Sequence, residues 1–534
     1  VTAQSTAEST PRRRLGLNTA IFGAATALSR VAGLIREAVA AYYFGTSKYA
    51  SAFTIASQIP NLMSNLFAQA ALSAAFVPVF TDLLQQGRKR EAFRLASTLF
   101  WIILVVLGAI SALGILLAGL ILPLFSGPNF DGNVAGVLTQ IMFPVVLALG
   151  LTGMLVGILQ SYDRFTPGAL APVVWNGVIL VLMVGLHNSF GHDKAIYSYA
   201  VAWLAATVVQ LLLIGSALRR IDFRLAGPKA VDWSDPRVRK VFTLMLPVTV
   251  GLGIINLDAL INSSFGALVP TNPPGAGPRA IQYAFLLYML PQGIFSVAVS
   301  TVLFPTMSRQ AARRDARGMR SSLAGGIRQI NLLLIPSAVG MLLLAMPITR
   351  LVFQRGQFDA ASTRLTAQAL RWFAVSLPFS GVNLLLTRTF FALQRPWIPT
   401  QLAVINMLVD IFLSIVLYHP FGLAGLVIGT AAANVVMAYL QWRRLSIGFR
   451  GKLEGAETLM ITLRILVAAL VCGAIARFVW VELNSAFGTS LIAQIFAVGI
   501  AMMLAGGFYA WAVTKMHIPE ARQIQMLLRR RFAR

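Results

Sequence analysis

The sequence predicts an all-α polytopic membrane protein of about fourteen transmembrane helices, built as two parallel six-helix lobes plus two C-terminal helices. Three observations predict it. Of 534 residues, 57% are hydrophobic and only 12% charged, with a mean hydropathy of +0.74. Soluble domains carry about 25% charged residues, so most of this surface must face lipid. Apolar runs of spanning length, about 20 residues, recur along the whole chain. Finally, two stretches repeat at a nearly constant offset.

The runs lie at 15–44, 50–80, 95–124, 134–159, 168–187, 196–218, 238–267, 279–307, 325–349, 366–392, 399–418, 422–442, 459–481 and 489–514. The second and eighth carry polar residues and proline. Loop charge checks the count. With the N-terminus in the cytoplasm, the basic loops all fall inside: Arg88, Lys89, Arg90 and Arg94 after span two, and Arg219, Arg220, Arg224, Lys229, Arg237, Arg239 and Lys240 after span six. Arg309, Arg313, Arg314, Arg317 and Arg320 follow span eight, Arg443, Arg444, Arg450 and Lys452 follow span twelve, and the tail ends in RRRFAR. Opposite loops such as SGPNFDGN, YHPFG and ELNSAFGTS have no Lys or Arg. The exception, TRLVFQRGQFDAASTR, has three arginines and reads as an amphipathic interfacial segment.

A formal charge of 44 − 18 = +26 therefore follows from the positive-inside rule and does not point to nucleic acid. The one cysteine, Cys472, sits in an apolar run, so no disulfide framework or cysteine metal site is expected. His187, His192, His419 and His517 are scattered without metal-ligand spacing, and no cofactor is implied. Arg12–Arg14 before an apolar run mimics a signal peptide, but no small-residue cleavage site follows.

The repeat sets the lobes. AAFVPVFTDLLQQGRKREAFRLAS matches TVLFPTMSRQAARRDARGMRSSLA, placing Pro78 against Pro305. LQSYDRFTP matches LQRPWIP, placing Pro167 against Pro399. The offsets are 305 − 78 = 227 and 399 − 167 = 232. An even number of spans separates the copies, so the lobes run parallel, as in transporters that rock two bundles about a central site. The chain then divides into a cytoplasmic tail (1–14), an N-lobe (15–220), a basic cytoplasmic linker (221–237), a C-lobe (238–445), a two-helix appendage (446–515) and a basic cytoplasmic tail (516–534).

Charge inside a span is costly and marks a wet, functional surface. The first run holds Arg30, Arg36 and Glu37; Arg30, Gly33 and Glu37 share a helical stripe, with Arg36 about 100° away. Guanidinium groups suit phosphate oxygens, to which they donate bidentately. Asn61, Asn65 and Gln69 recur every four residues on one face of the second run and are candidates for lining a cavity. Asp258 and Asp410 are intramembrane carboxylates, candidates for proton or cation coupling or for hydrogen bonding to neighbouring helices. Arg388 is expected to snorkel to the interface, and Asn176, Asn262 and Asn406 to bond between helices.

SRVAGLIRE (29–37), SAFTIASQIPNLMSNLFAQAALSAAFVPVF (51–80), LQSYDRFTPGALAPVVWN (159–176), LPQGIFSVAVSTVLFPTMS (290–308), FQRGQFDAASTRLTAQALRW (353–372) and FFALQRPWIP (390–399) together carry a resemblance. The chain resembles the MurJ (MviN) lipid II flippase family of the MOP transporter superfamily, over nearly its whole length. The resemblance implies alternating access that moves undecaprenyl-diphosphate-linked muropeptide from the inner to the outer leaflet of the bacterial cytoplasmic membrane. It further implies membrane lipids and cell-wall synthesis proteins as partners, and cavity roles for Arg30, Arg36 and Glu37. Where the family carries further charges, this chain has Ser51, Ser64, Gln69, Phe285 and Leu286. Arg279, two turns before Leu286 on the same face, is the candidate replacement. Those departures keep a second reading open, a MOP-type transporter of another polyprenyl-diphosphate sugar or a small molecule. An integral-membrane transferase is disfavoured, because the outward loops are short and nearly acid-free.

Overall fold

Helices fill the computed structural model, which describes residues 9–67, 70–125, 130–191, 194–228, 232, 235–449, 454–488, 490–516 and 518–521. They are α1 (Ser9–Phe44), α2 (Lys48–Phe67), α3 (Ala70–Gln85), α4 (Lys89–Ile121), α5 (Gly132–Met142), α6 (Pro144–Ser161), α7 (Thr166–Gly185), α8 (Ile196–Leu218) and α9 (Pro236–Leu268). Then follow α10 (Gly277–Pro291), α11 (Val297–Ala312), α12 (Ala316–Leu343), α13 (Ala345–Phe353), α14 (Ala360–Ala392), α15 (Trp397–Phe421), α16 (Leu423–Gly448), α17 (Gly455–Phe487) and α18 (Leu491–Lys515). Eleven helical stretches among the described residues are long and apolar enough to cross a membrane. That is three fewer than the fourteen spans expected from sequence. The others, 15–44, 50–80 and 238–267, fall on α1, on α2 with α3, and on α9.

The chain divides into two compact units, 1–260 and 261–534, the boundary falling within α9. The repeat is visible as a shift of eight elements. In the first unit α4 packs on α3 and α6, and α8 on α6 and α7; in the second α12 packs on α11 and α14, and α16 on α14 and α15. Even the proline-bearing copies agree: α3 and α11 are each 16 residues long, with Pro78 and Pro305 inside them. Each copy then turns on a residue with positive φ, Gly87 (φ 74°) or Arg314 (φ 55°), and 314 − 87 = 227 repeats the proline offset. Likewise Asp163 and Gln394, both at φ 57°, turn the chain into α7 and α15. A non-glycine residue rarely adopts this conformation, so its recurrence at matching places reflects one ancestral geometry used twice.

In the second unit Pro291 is followed by a π-helical turn, Gln292–Ser296, that links α10 to α11. An extra residue in the turn lets the helix bend without losing its backbone partners. Gly381 of α14 permits the close approach there, since a Cβ would collide with Leu334 and Ser296.

Within the stretch expected to be a linker, Ala226 and Asp232 are docked along one face of α4. Ser97 Oγ accepts from Ala226 N at 2.8 Å, Thr98 Oγ1 accepts from Asp232 N at 3.2 Å, and Trp101 Nε1 donates to Ala226 O at 2.9 Å. Positions 94, 97, 98 and 101 share a helical stripe, and Arg94 completes it by pairing with Asp232 at 3.2 Å. Backbone groups that a free linker would leave to water are thus satisfied by α4.

In the second unit the appendage α17–α18 is fastened to α12. Ile461, Ile465 and Ala468 bury against Leu332, Ile335 and Val339. Arg328 of α12 pairs with Glu520 at 2.6 Å and with Glu454 and Glu457 at 3.4 Å. Tyr509 donates to Leu332 O at 2.7 Å, and Asn331 donates to Thr462 at 3.0 Å.

Candidate functional site

In the first unit Arg36 and Glu37 are drawn together, while Arg30 stands apart. Glu37 is 4% exposed, and a buried carboxylate requires compensation. Arg36 supplies it, donating to Glu37 Oε1 at 2.7 Å and to Asn176 Oδ1 of α7 at 2.9 Å. Tyr199 of α8 donates to the same Glu37 oxygen at 2.9 Å. The Arg36 guanidinium also lies 5.0 Å from the Trp175 ring and 5.5 Å from the Trp203 ring. Those indoles are nearly perpendicular, at 85° with centroids 5.1 Å apart, so the cation occupies an aromatic corner that favours it.

Local sequence holds that corner in place. Thr207 bonds back to Trp203 O at 2.9 Å and accepts from Trp175 Nε1 at 3.1 Å. Asn176 donates to Pro172 O at 2.8 Å on its own helix and to Ser29 O of α1 at 3.5 Å, which aims its Oδ1 at Arg36. At Gly33 a Cβ would stand 3.7 Å from Asn176 Oδ1, an ordinary contact, so the approach of α1 to α7 does not depend on glycine there. Asn176 does bond between helices as expected; Trp175, Tyr199, Trp203 and Thr207 were not anticipated. Arg30 is exposed and forms no ion pair among the described residues.

In the second unit a different group is buried at the matching helices. Asp410 of α15 is 1% exposed. Its carboxylate accepts from Asn262 of α9 at 2.7 Å, from Thr430 of α16 at 3.2 and 3.3 Å, and from Ser414 at 3.3 Å. Gly429 leaves room for this cluster; a Cβ would stand 2.9 Å from Ser414 Oγ and 3.3 Å from Asp410 Oδ1. One turn before Asp410, Asn406 buries an Oδ1 with no hydrogen-bond partner. From Thr430 the polar track continues through Asn434 to Asn383, by bonds of 3.0 Å each.

The remaining candidates are dispersed. Arg279 is 1% exposed in the first turn of α10, donating to Gln282 at 2.8 Å with its guanidinium 4.4 Å from the Tyr283 ring. Tyr283 in turn packs on Phe353 and Phe358. Farther along α10, Phe285 is exposed and Leu286 half-buried. Asp258 and Asn61 are half-buried and Ser51 is buried. The side chains of Ser64, Asn65 and Gln69 lie outside the described residues. Arg388 is half-buried and donates to Thr301 of α11 at 2.9 Å. No group of three or more His, Cys, Asp or Glu able to hold a metal ion occurs among the described residues.

Comparison with known proteins places this architecture. The family model for lipid II flippase MurJ matches residues 40–498, just after the α1 charges. The chain belongs to the MurJ family. A probable lipid II flippase MurJ of Treponema pallidum is 31% identical, over 78% of this chain and 79% of the relative. The lipid II flippase MurJ of Burkholderia cenocepacia is 30% identical, over 79% of this chain and 82% of the relative. Among solved structures, an inward-closed lipid II flippase MurJ superposes with a TM-score of 0.76 at 22% identity, covering 93% of this chain and 99% of that one. An inward-facing MATE multidrug transporter of the MOP superfamily gives 0.65 at 15% identity, covering 76% and 96%. The MurJ family is one of flippases, and this member is a multi-pass protein of the bacterial inner membrane.

Proposed function

We infer that this protein moves lipid II from the inner to the outer leaflet by alternating access, its two units serving as the moving bundles and both termini lying in the cytoplasm. Carrying this reading is the MurJ family match across residues 40–498. The cargo is a transported lipid, and no bond is made or broken in it. A diphosphate carries about two negative charges that hydrocarbon will not accept unpaired. Among the described α1 side chains, Arg30 is the exposed cation that could meet them, because Arg36 is engaged with Glu37 and Asn176. Arg36 then acts by holding α1 against α7 and α8. Asp410 is the coupling group in this reading: its carboxylate and the unbonded Asn406 oxygen form an acceptor pair one turn apart, suited to a proton or a monovalent cation.

Complementation of a strain depleted of its own flippase tests the assignment. The wild-type chain restores growth and Arg30→Ala does not, since losing a charged hydrogen bond worth about 1.5–3 kcal/mol lowers affinity roughly 10- to 150-fold. Full rescue by Arg30→Ala would remove Arg30 from the substrate path. A wild-type chain that reaches the membrane and fails to rescue would indicate another polyprenyl-diphosphate cargo, in keeping with apolar Phe285 and Leu286 on α10.

A further inference from the structure

A cleft of about 1180 Å³ opens in the first unit where α6 ends, α7 begins and α8 ends. It has two chemical zones. Leu170, Val174 and Leu213 form its apolar side, and Val174 lies eight residues into α7, about 12 Å along the helix from its start. Arg164 and Arg220 line its mouth together with Asp163, a net charge of +1. Neither arginine forms an ion pair among the described residues, whereas nearby Lys89 is already paired with Asp222 at 3.1 Å. Tyr162 adds a third feature: its hydroxyl is buried at the cleft with no hydrogen-bond partner. Burial pushes the Tyr162 phenol up despite the opposing pull of Lys89, which keeps the O–H available as a donor.

We propose that this cleft is a binding site for an anionic glycerophospholipid, with the headgroup phosphate held by Arg164, Arg220 and Tyr162 and an acyl chain along Leu170, Val174 and Leu213. Arg164 and Arg220 stand at the ends of the apolar helices α6, α7 and α8, where headgroups would lie, and the apolar side runs from there along α7, as an acyl chain would. Basic pockets between membrane helices select anionic headgroups in this way. A soluble anion would leave the apolar side unfilled, and a zwitterionic lipid would gain little from the guanidinium pair.

Native mass spectrometry of the full-length protein, released from nanodiscs of equal phosphatidylglycerol and phosphatidylethanolamine, reads the preference directly. The parent retains phosphatidylglycerol over phosphatidylethanolamine. Arg164→Gln with Arg220→Gln lowers that preference about thirtyfold, at about fivefold for each arginine near the membrane surface. Leu170→Trp, which fills the cleft from an exposed position, lowers retention of both lipids. Arg443→Gln with Arg444→Gln, an equal charge change on exposed α16 residues, leaves the preference intact. Equal retention of the two lipids by the parent, or an unchanged preference in the arginine double variant, would overturn the proposal. So would displacement of the lipid by inorganic phosphate, or a cleft that holds undecaprenyl diphosphate but not phosphatidylglycerol.

Discussion

The corner of α1, α7 and α8 in the first unit and that of α9, α15 and α16 in the second stand at the same places in the repeat, yet they bury opposite chemistry. The first contains a compensated ion pair, Arg36 with Glu37, boxed by Trp175 and Trp203. The second gathers neutral donors, Asn262, Ser414 and Thr430, around Asp410. A boxed ion pair cannot lose one charge without stranding the other, so it acts as a fixed brace. The second corner instead spreads its carboxylate's hydrogen bonds over three side chains from α9, α15 and α16. One scaffold, used twice, thus supplies a corner built on an ion pair and a corner built on a hydrogen-bonded carboxylate.

The largest effect should come from breaking the brace. Arg36→Ala leaves Glu37 buried without its cation and is expected to destabilise the protein by about 3–5 kcal/mol, measured by denaturant unfolding in mixed micelles. Arg36→Met combined with Glu37→Gln leaves no buried charge and should recover most of that loss. A single-variant cost below about 1 kcal/mol would show that the pair is not structural.

The second corner should respond in a different currency. Asn262→Leu or Thr430→Val each remove a hydrogen bond to a charged group and should cost about 1.5–3 kcal/mol. Asp410→Asn keeps a similar shape and should unfold close to the parent, while flipping in proteoliposomes loses its dependence on the proton or cation gradient. An Asp410→Asn protein that keeps this dependence would leave the second corner as structural as the first.

Much of this was legible in the sequence, and the limits have physical causes. The lobes, the repeat and the buried charges followed from hydropathy and from the prolines, because lipid forces every backbone group into helices. The Arg36–Glu37 partnership was not legible: adjacent residues do not face each other on a helix, and a flexible arginine side chain closed the gap. Trp175 and Trp203 read as ordinary apolar residues, though two tryptophans at mid-span, away from the interface where tryptophan concentrates, were a usable signal. Nor could the docking of Ala226 and Asp232 be foreseen, since Ser97, Thr98 and Trp101 declare themselves only when α4 is known to face them. The anchoring of Arg328 by Glu520 joins residues 192 apart, and no local pattern encodes it.

The smallest effect concerns a third charged cluster, placed outside the membrane where water screens it. Hydrogen bonds from Arg88 and then Arg237 hold Glu91 below the usual carboxylate range. For Asp235, burial raises the pKa, but the bonds from Arg237 outweigh it and the net shift is downward. Because both folded-state values are depressed, their stabilisation is present above the ordinary carboxylate value of about 4. It is lost as pH falls through the lower folded values. Amide protection factors around Ala226, Asp232 and Asp235, corrected for the intrinsic slowing of exchange in acid, should therefore fall between pH 7 and pH 3, with those at the Arg36 corner unchanged. Arg237→Gln should bring that loss of protection on at higher pH, because the carboxylates then titrate nearer their ordinary values. Protection that ignores both pH and the substitution would mean that Ser97, Thr98 and Trp101 hold this stretch alone, leaving the exposed ion pairs without a structural role.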